Sequence, residues 1–73
     1  MVSLLQLENN SYAEVVDIRG GSGFLRRLES MGVRVGCKIL KISDTPGPVI
    51  IKVGSTQLAI GRGIASKIFV EKL

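Results

Sequence analysis

"RRLESMGVRVG", residues 26–36, decides how this chain is to be read. Two adjacent arginines and a leucine lead into Met31-Gly32, and a second glycine follows at Gly36. A phosphate-gripping loop, a nucleic-acid contact and a helix-to-strand corner would each use such a stretch. Just upstream the apolar period is helical. Phe24, Leu28 and Met31 stand at i, i+4 and i+7, and Leu25 joins Leu28 at i+3. This predicts one short helix near residues 24–31, with Arg26, Arg27, Glu29 and Ser30 on its other faces. Gly32 follows as the left-handed residue that ends a helix. Val33 then packs back, and Gly36 lets the chain turn into a strand.

The phosphate reading fails on spacing. A dinucleotide fingerprint needs G-x-G-x-x-G, and here Gly21 and Gly23 are followed by Arg26 in the third place. No glycine is followed by Lys-Ser or Lys-Thr, so a Walker loop is absent. Backbone N–H groups at the helix start could still hold an anion. The plainer role of these glycines is to permit a sharp strand-to-helix turn.

Outward from the corner, glycine and proline cut the chain into short pieces, as in a set of strands joined by tight turns. Leu4–Leu7 is apolar and covers one end of the core. Asn9-Asn10-Ser11 is a turn signal. Tyr12–Ile18 reads as a strand whose Val15-Val16 pair breaks strict alternation and marks a bulge. Cys37–Ser43 is a second strand, followed by a turn at Asp44-Thr45-Pro46-Gly47. In Val49–Val53, residues 49, 51 and 53 share a face and Lys52 points away. Gly54-Ser55 makes a hairpin reversal into Gln57–Ile60. Gly61–Ser66 reads as one helical or 3₁₀ turn. In Lys67–Glu71, Ile68 and Val70 point inward and Lys67, Phe69 and Glu71 outward. The expected fold is mostly β with one short helix. Closing about five strands into a small SH3-like barrel removes exposed edges.

Composition bounds the function. Seventy-three residues, 45% hydrophobic, allow one small domain, expected to span residues 1–73. No apolar run approaches the roughly 20 residues of a membrane span. The N-terminus lacks the basic region of a signal peptide. A cytoplasmic protein without direct membrane insertion is expected. One cysteine, Cys37, has no internal disulfide partner and reads as a small apolar strand residue. With no histidine, neither a Ser-His nor a Cys-His pair exists, and no enzyme is expected. The same lack argues against a tight transition-metal site, and no cofactor is expected. The net charge of +4 suits an anionic partner. Nucleic acid is one candidate, but Tyr12, Phe24 and Phe69 are the only aromatic residues, too few for a stacking platform.

A family resemblance adds to this reading. "RLESMGVRVG", residues 27–36, resembles the Arg-Leu-x-x-[Leu/Met]-Gly-[Leu/Met/Val]-x-x-Gly motif of FeoA, the small cytosolic partner of the bacterial ferrous iron transport system. The glycine-rich run before the helix and the Pro48–Val53 strand are similar to the family pattern too. So is the ending "LAIGRGIASKIFVEKL", residues 58–73, with Ala65, Ile68 and Val70 at the family's spacing. Val35 stands where the family often has Pro, and Asn9-Asn10 where it often has Gly. Similar SH3-like domains close the iron-dependent repressors; a free-standing chain starting at Met1 fits the transport family better.

The resemblance implies an accessory role exercised on FeoB, the membrane permease with a cytosolic GTP-binding domain. Candidate partner-binding residues are Arg26 and Arg27 on the outer helix face, Arg34 in the corner, Arg62 in the late turn, and Phe69. The alternatives left open are a small basic barrel binding nucleic acid, and a stand-alone relative of the repressor domain.

Overall fold

Val15 and Ile18 both face the interior of the protein, although strict strand alternation would have turned Asp17 inward instead. The computed structural model, which describes residues 1–44 and 46–73, shows why. The register slips between Val15 and Asp17, so Val16 is an extra residue, and the slip switches the parity of the strand. The bulge expected from Val15-Val16 is therefore present.

The elements in chain order are β1 (Val2–Ser3), β2 (Ser11–Ile18), α1 (Ser22–Ser30), β3 (Lys38–Ser43), β4 (Val49–Val53), β5 (Thr56–Ile60), α2 (Arg62–Ala65) and β6 (Ile68–Lys72). The strands form one antiparallel sheet in the order β1-β6-β2-β3-β4-β5. Among the described residues it has six strands and two short helices, against the expected five and one. β1 is two residues long, too short to carry a period. α2 falls inside the helical turn expected at Gly61–Ser66. α1 begins at Ser22, two residues before its first apolar position, because Ser22 and Gly23 are exposed and carry no hydrophobic signal. Thr45, part of the expected Asp44–Gly47 turn, lies outside the described residues.

The sheet curls around a core of Leu, Ile, Val and Ala side chains drawn from every strand but β1. Each helix adds one fully buried residue, Leu28 from α1 and Ala65 from α2. Leu4 and Leu7, in the turn after β1, close one end as expected. Burying each such Val, Leu or Ile contributes roughly 1.5–3 kcal/mol. The architecture is that of a small SH3-like barrel.

The helix-to-strand corner is present in full. The Gly32 N–H donates to Glu29 O at 3.0 Å, and the Val33 N–H to Leu28 O at 2.9 Å. This is a Schellman motif, with Gly32 at φ +90° and Val33 packed with Leu28 in the core. Gly36, at φ +96°, then redirects the chain, and its N–H reaches Val15 O at 2.7 Å. At the other hairpin, Gly54 has φ +61° at the first of two central positions, the pattern of a type II′ turn. The turn signal at residues 9–11 also holds, since Asn10 is in the left-handed region at φ +63°.

β3 departs from simple amphipathic reading. Its inward positions are Ile39 and Lys41, and Lys41 is fully buried.

Candidate functional site

α1 is fixed to the barrel by Leu28, with Phe24, Leu25 and Met31 half-buried beside it. Arg26 and Arg27 are thereby held on the exposed face. Arg27 lies in the last turn, where a cation meets the negative end of the helix dipole. Arg34 is exposed in the corner that leaves α1. Among the described residues none of the three makes an ion pair. These three predicted residues are thus carried on one helix and its exit.

The other two are placed differently. The Arg62 guanidinium, at the start of α2, donates from Nη1 to Asp44 O at 2.7 Å and Gly47 O at 3.3 Å. It braces the chain between β3 and β4, and its donors are already partly committed. Phe69, on β6, is half-buried rather than fully outward. The Arg19 guanidinium sits over its ring at 4.6 Å, and Arg19 Nε also reaches Asp17 Oδ2 at 3.3 Å. The ring therefore already carries a cation, a contact that is favourable by itself. A second such contact sets the Lys67 ammonium over Phe24, 5.6 Å from the ring centre.

Two features escaped the sequence. Arg19 follows the end of β2, and only the bulge, which pairs Asp17 with Phe69, brings it over that ring. Lys41 is the larger omission. Its amine donates to Leu7 O at 2.6 Å, Leu5 O at 3.1 Å and Asp44 Oδ2 at 3.0 Å, so three oxygens satisfy its three donors. The one available signal was parity, since Lys41 stands two residues from Ile39 in a strand.

The surplus positive charge lies on the surface. Arg26, Arg27, Arg34, Lys38, Lys52 and Lys67 are exposed and outside every ion pair of the described residues. Lys72 is tied to Glu8 at 2.6 Å, and that hydrogen bond, with the attraction of the same ammonium, holds the Glu8 carboxyl below its ordinary pKa. Among the described residues no three His, Cys, Asp or Glu side chains form a group able to hold a metal. No helix among them is long and apolar enough to cross a membrane. The arrangement is that of a small barrel presenting basic side chains on exposed faces.

Comparison with known proteins agrees with the motif reading. The family model of the FeoA domain matches residues 2–72. A curated relative from Methanocaldococcus jannaschii, named as a candidate Fe(2+) transport protein A, is 47% identical over 57 residues, 78% of this chain and 70% of its own. The crystal structure of an iron uptake regulatory protein, FeoA, superposes with a TM-score of 0.90 at 38% identity, covering 99% of this chain and 96% of that one. A manganese-dependent transcriptional repressor shares the fold at a TM-score of 0.86 and 19% identity; 97% of this chain matches 41% of that one. The helix-to-strand corner and Ala65, Ile68 and Val70 of the ending lie within a family match that leaves out only Met1 and Leu73, and the chain belongs to the FeoA domain family.

Proposed function

We propose that this chain is a cytoplasmic accessory protein of ferrous iron transport that acts by binding a FeoB-type GTPase-permease. The observation that carries the reading is the family match over residues 2–72. It is supported by the close likeness to an iron uptake regulatory protein. In this reading residues 1–73 act as one unit, without catalysis of their own, and influence the permease by contact. The basic side chains outside ion pairs give that contact its sign, because a cationic surface steers toward an acidic one. Arg26, Arg27 and Arg34 are its foremost candidates, since α1 holds the first two in a fixed place and the third follows at its exit.

The experiment is a pull-down of the FeoB permease of the same cell by the tagged chain, paired with ferrous iron uptake in cells lacking the chain. Specific capture together with reduced uptake supports the proposal. Normal uptake without the chain, and no capture, would reject it.

A further inference from the structure

The outward face of β2–β4 carries a cleft of about 340 Å³ whose lining includes no residue of α1 or of the helix-to-strand corner. Its lining includes Tyr12, Lys38, Leu40, Lys52 and Gly54. Strand register places three of these side chains in one row across the sheet. Tyr12 is opposite Leu40, Leu40 opposite Lys52, and Lys52 opposite the exposed Gln57 of β5. With strands about 4.8 Å apart, the row runs roughly 14 Å. An extended segment of about four residues has that length.

The chemistry of the row is amphipathic. Leu40 is half-buried and supplies an apolar floor, and Tyr12 is 52% exposed, the one aromatic residue standing that far into solvent. Lys38 and Lys52 flank the floor, and neither forms an ion pair among the described residues. Glu14 is the register partner of Lys38, yet the Lys38 ammonium sits over the Tyr12 ring instead, at 4.8 Å from its centre. A single exposed ring with a cation on one face offers no row of aromatic side chains for successive bases, which argues against a nucleic-acid occupant. Two cations beside an apolar floor complement an apolar side chain with carboxylates on either side.

We propose that this cleft binds a short extended protein segment in which an apolar side chain is flanked by acidic ones. The apolar group packs on Leu40 and Tyr12, and its carboxylates meet Lys38 and Lys52. The cleft selects the segment by its chemistry, whether or not that segment belongs to a permease.

The test is NMR titration of the ¹⁵N-labelled full chain with three capped tetrapeptides: Asp-Leu-Phe-Glu, Lys-Leu-Phe-Lys and Asp-Gly-Gly-Glu. The first is expected to shift the amides of Tyr12, Leu40, Lys52 and Gly54 saturably, and the other two to bind about tenfold more weakly. The double change Lys38→Glu and Lys52→Glu should lose the first peptide by a similar factor while the amide spectrum stays that of a folded barrel; should it unfold, Lys52→Gln alone serves. Equal binding of the lysine peptide overturns the proposal. So do shifts confined to α1, or no saturable shift at low-millimolar acidic peptide. An oligothymidylate moving the same amides more strongly would assign the cleft to nucleic acid and overturn it as well.

Discussion

The Lys41 amine donates to the carbonyl oxygen of Leu7 across 2.6 Å in the interior of the protein, linking residues 34 positions apart. The same nitrogen reaches Leu5 O and the Asp44 carboxylate. One side chain thus ties the N-terminal turn to β3 and to the chain that leaves β3. The N-terminal turn has few other anchors. Leu4 and Leu7 are in the core, and the Leu4 N–H bonds Ile68 O at 2.8 Å.

Lys41→Met keeps the length of the side chain and removes its donors. The Leu7 carbonyl is then left buried without that partner, whereas Asp44, at 20% exposure, regains water. The expected loss is about 2–4 kcal/mol, since an orphaned buried polar group costs about 1–3 kcal/mol and breaking a buried pair about 3–5, the latter reduced here by the partial exposure of Asp44. Urea denaturation measures it. A loss within experimental error would show that the N-terminal turn is held without the Lys41 bonds.

Two glycines separate conformational cost from steric cost. Gly32 has φ +90°, but a Cβ there meets only a Val53 methyl at 3.7 Å, an ordinary contact. Gly32→Ala should cost about 1 kcal/mol for the left-handed backbone and little more. Gly20 has φ +149°, and a Cβ there would stand 2.6 Å from Phe24 Cδ2. Gly20→Ala must push the Phe24 ring off its seat beside the core, and should be the more destabilising of the two. Thermal unfolding of both variants tests the order; equal losses would mean the ring moves freely.

The difference between what the sequence showed and what it hid follows from the range of the interactions. The Met31-Gly32 corner is local: the helical period of Phe24, Leu28 and Met31 and the glycine after it lie within nine residues, and the Schellman bonds formed where expected. The Val15-Val16 bulge was legible for the same reason. Lys41 was not, because its partners Leu5 and Leu7 are more than thirty residues away and only the folded barrel brings them near. Arg62 read as a free surface cation, and its bond to Gly47 O again depends on folding. The cleft beside Tyr12 needed the register of three strands, which no short window of sequence contains.

The Glu8–Lys72 pair gives a pH dependence of known sign. The Glu8 carboxyl is held below its ordinary value of 4.5 by the Lys72 hydrogen bond and charge. A depressed carboxylate contributes stability above its unfolded pKa and loses it as pH falls through the folded one. Glu8→Gln should therefore be less stable than the unaltered chain at neutral pH, and the gap should close as pH falls through the depressed folded-state pKa. Both groups are exposed, so the gap is small and shrinks with added salt. Denaturation midpoints at neutral and acid pH check the sign, and a gap that widens in acid would contradict it.

Arg26 and Arg27 are the place to reverse charge without disturbing the fold. Both side chains are exposed and outside the ion pairs, while Leu28 fixes the helix from its other side. In the double change Arg26→Glu with Arg27→Glu, the second replaces a favourable cation at the helix C-terminus by an unfavourable anion, which costs about 1–2 kcal/mol. If this face meets an acidic surface of a FeoB-type permease, the double change turns attraction into repulsion. Association then slows, and affinity falls by several kcal/mol where both charges are desolvated. Circular dichroism first establishes that the variant is folded, and permease binding and ferrous iron uptake are then compared with the unaltered chain. Arg62→Ala is the instructive contrast, because Arg62 already bonds Asp44 O and Gly47 O, and its removal should destabilise the fold even where no partner is present. A folded double variant that binds and supports uptake normally would remove α1 as the interface and leave the Tyr12–Lys52 row as the next surface to test.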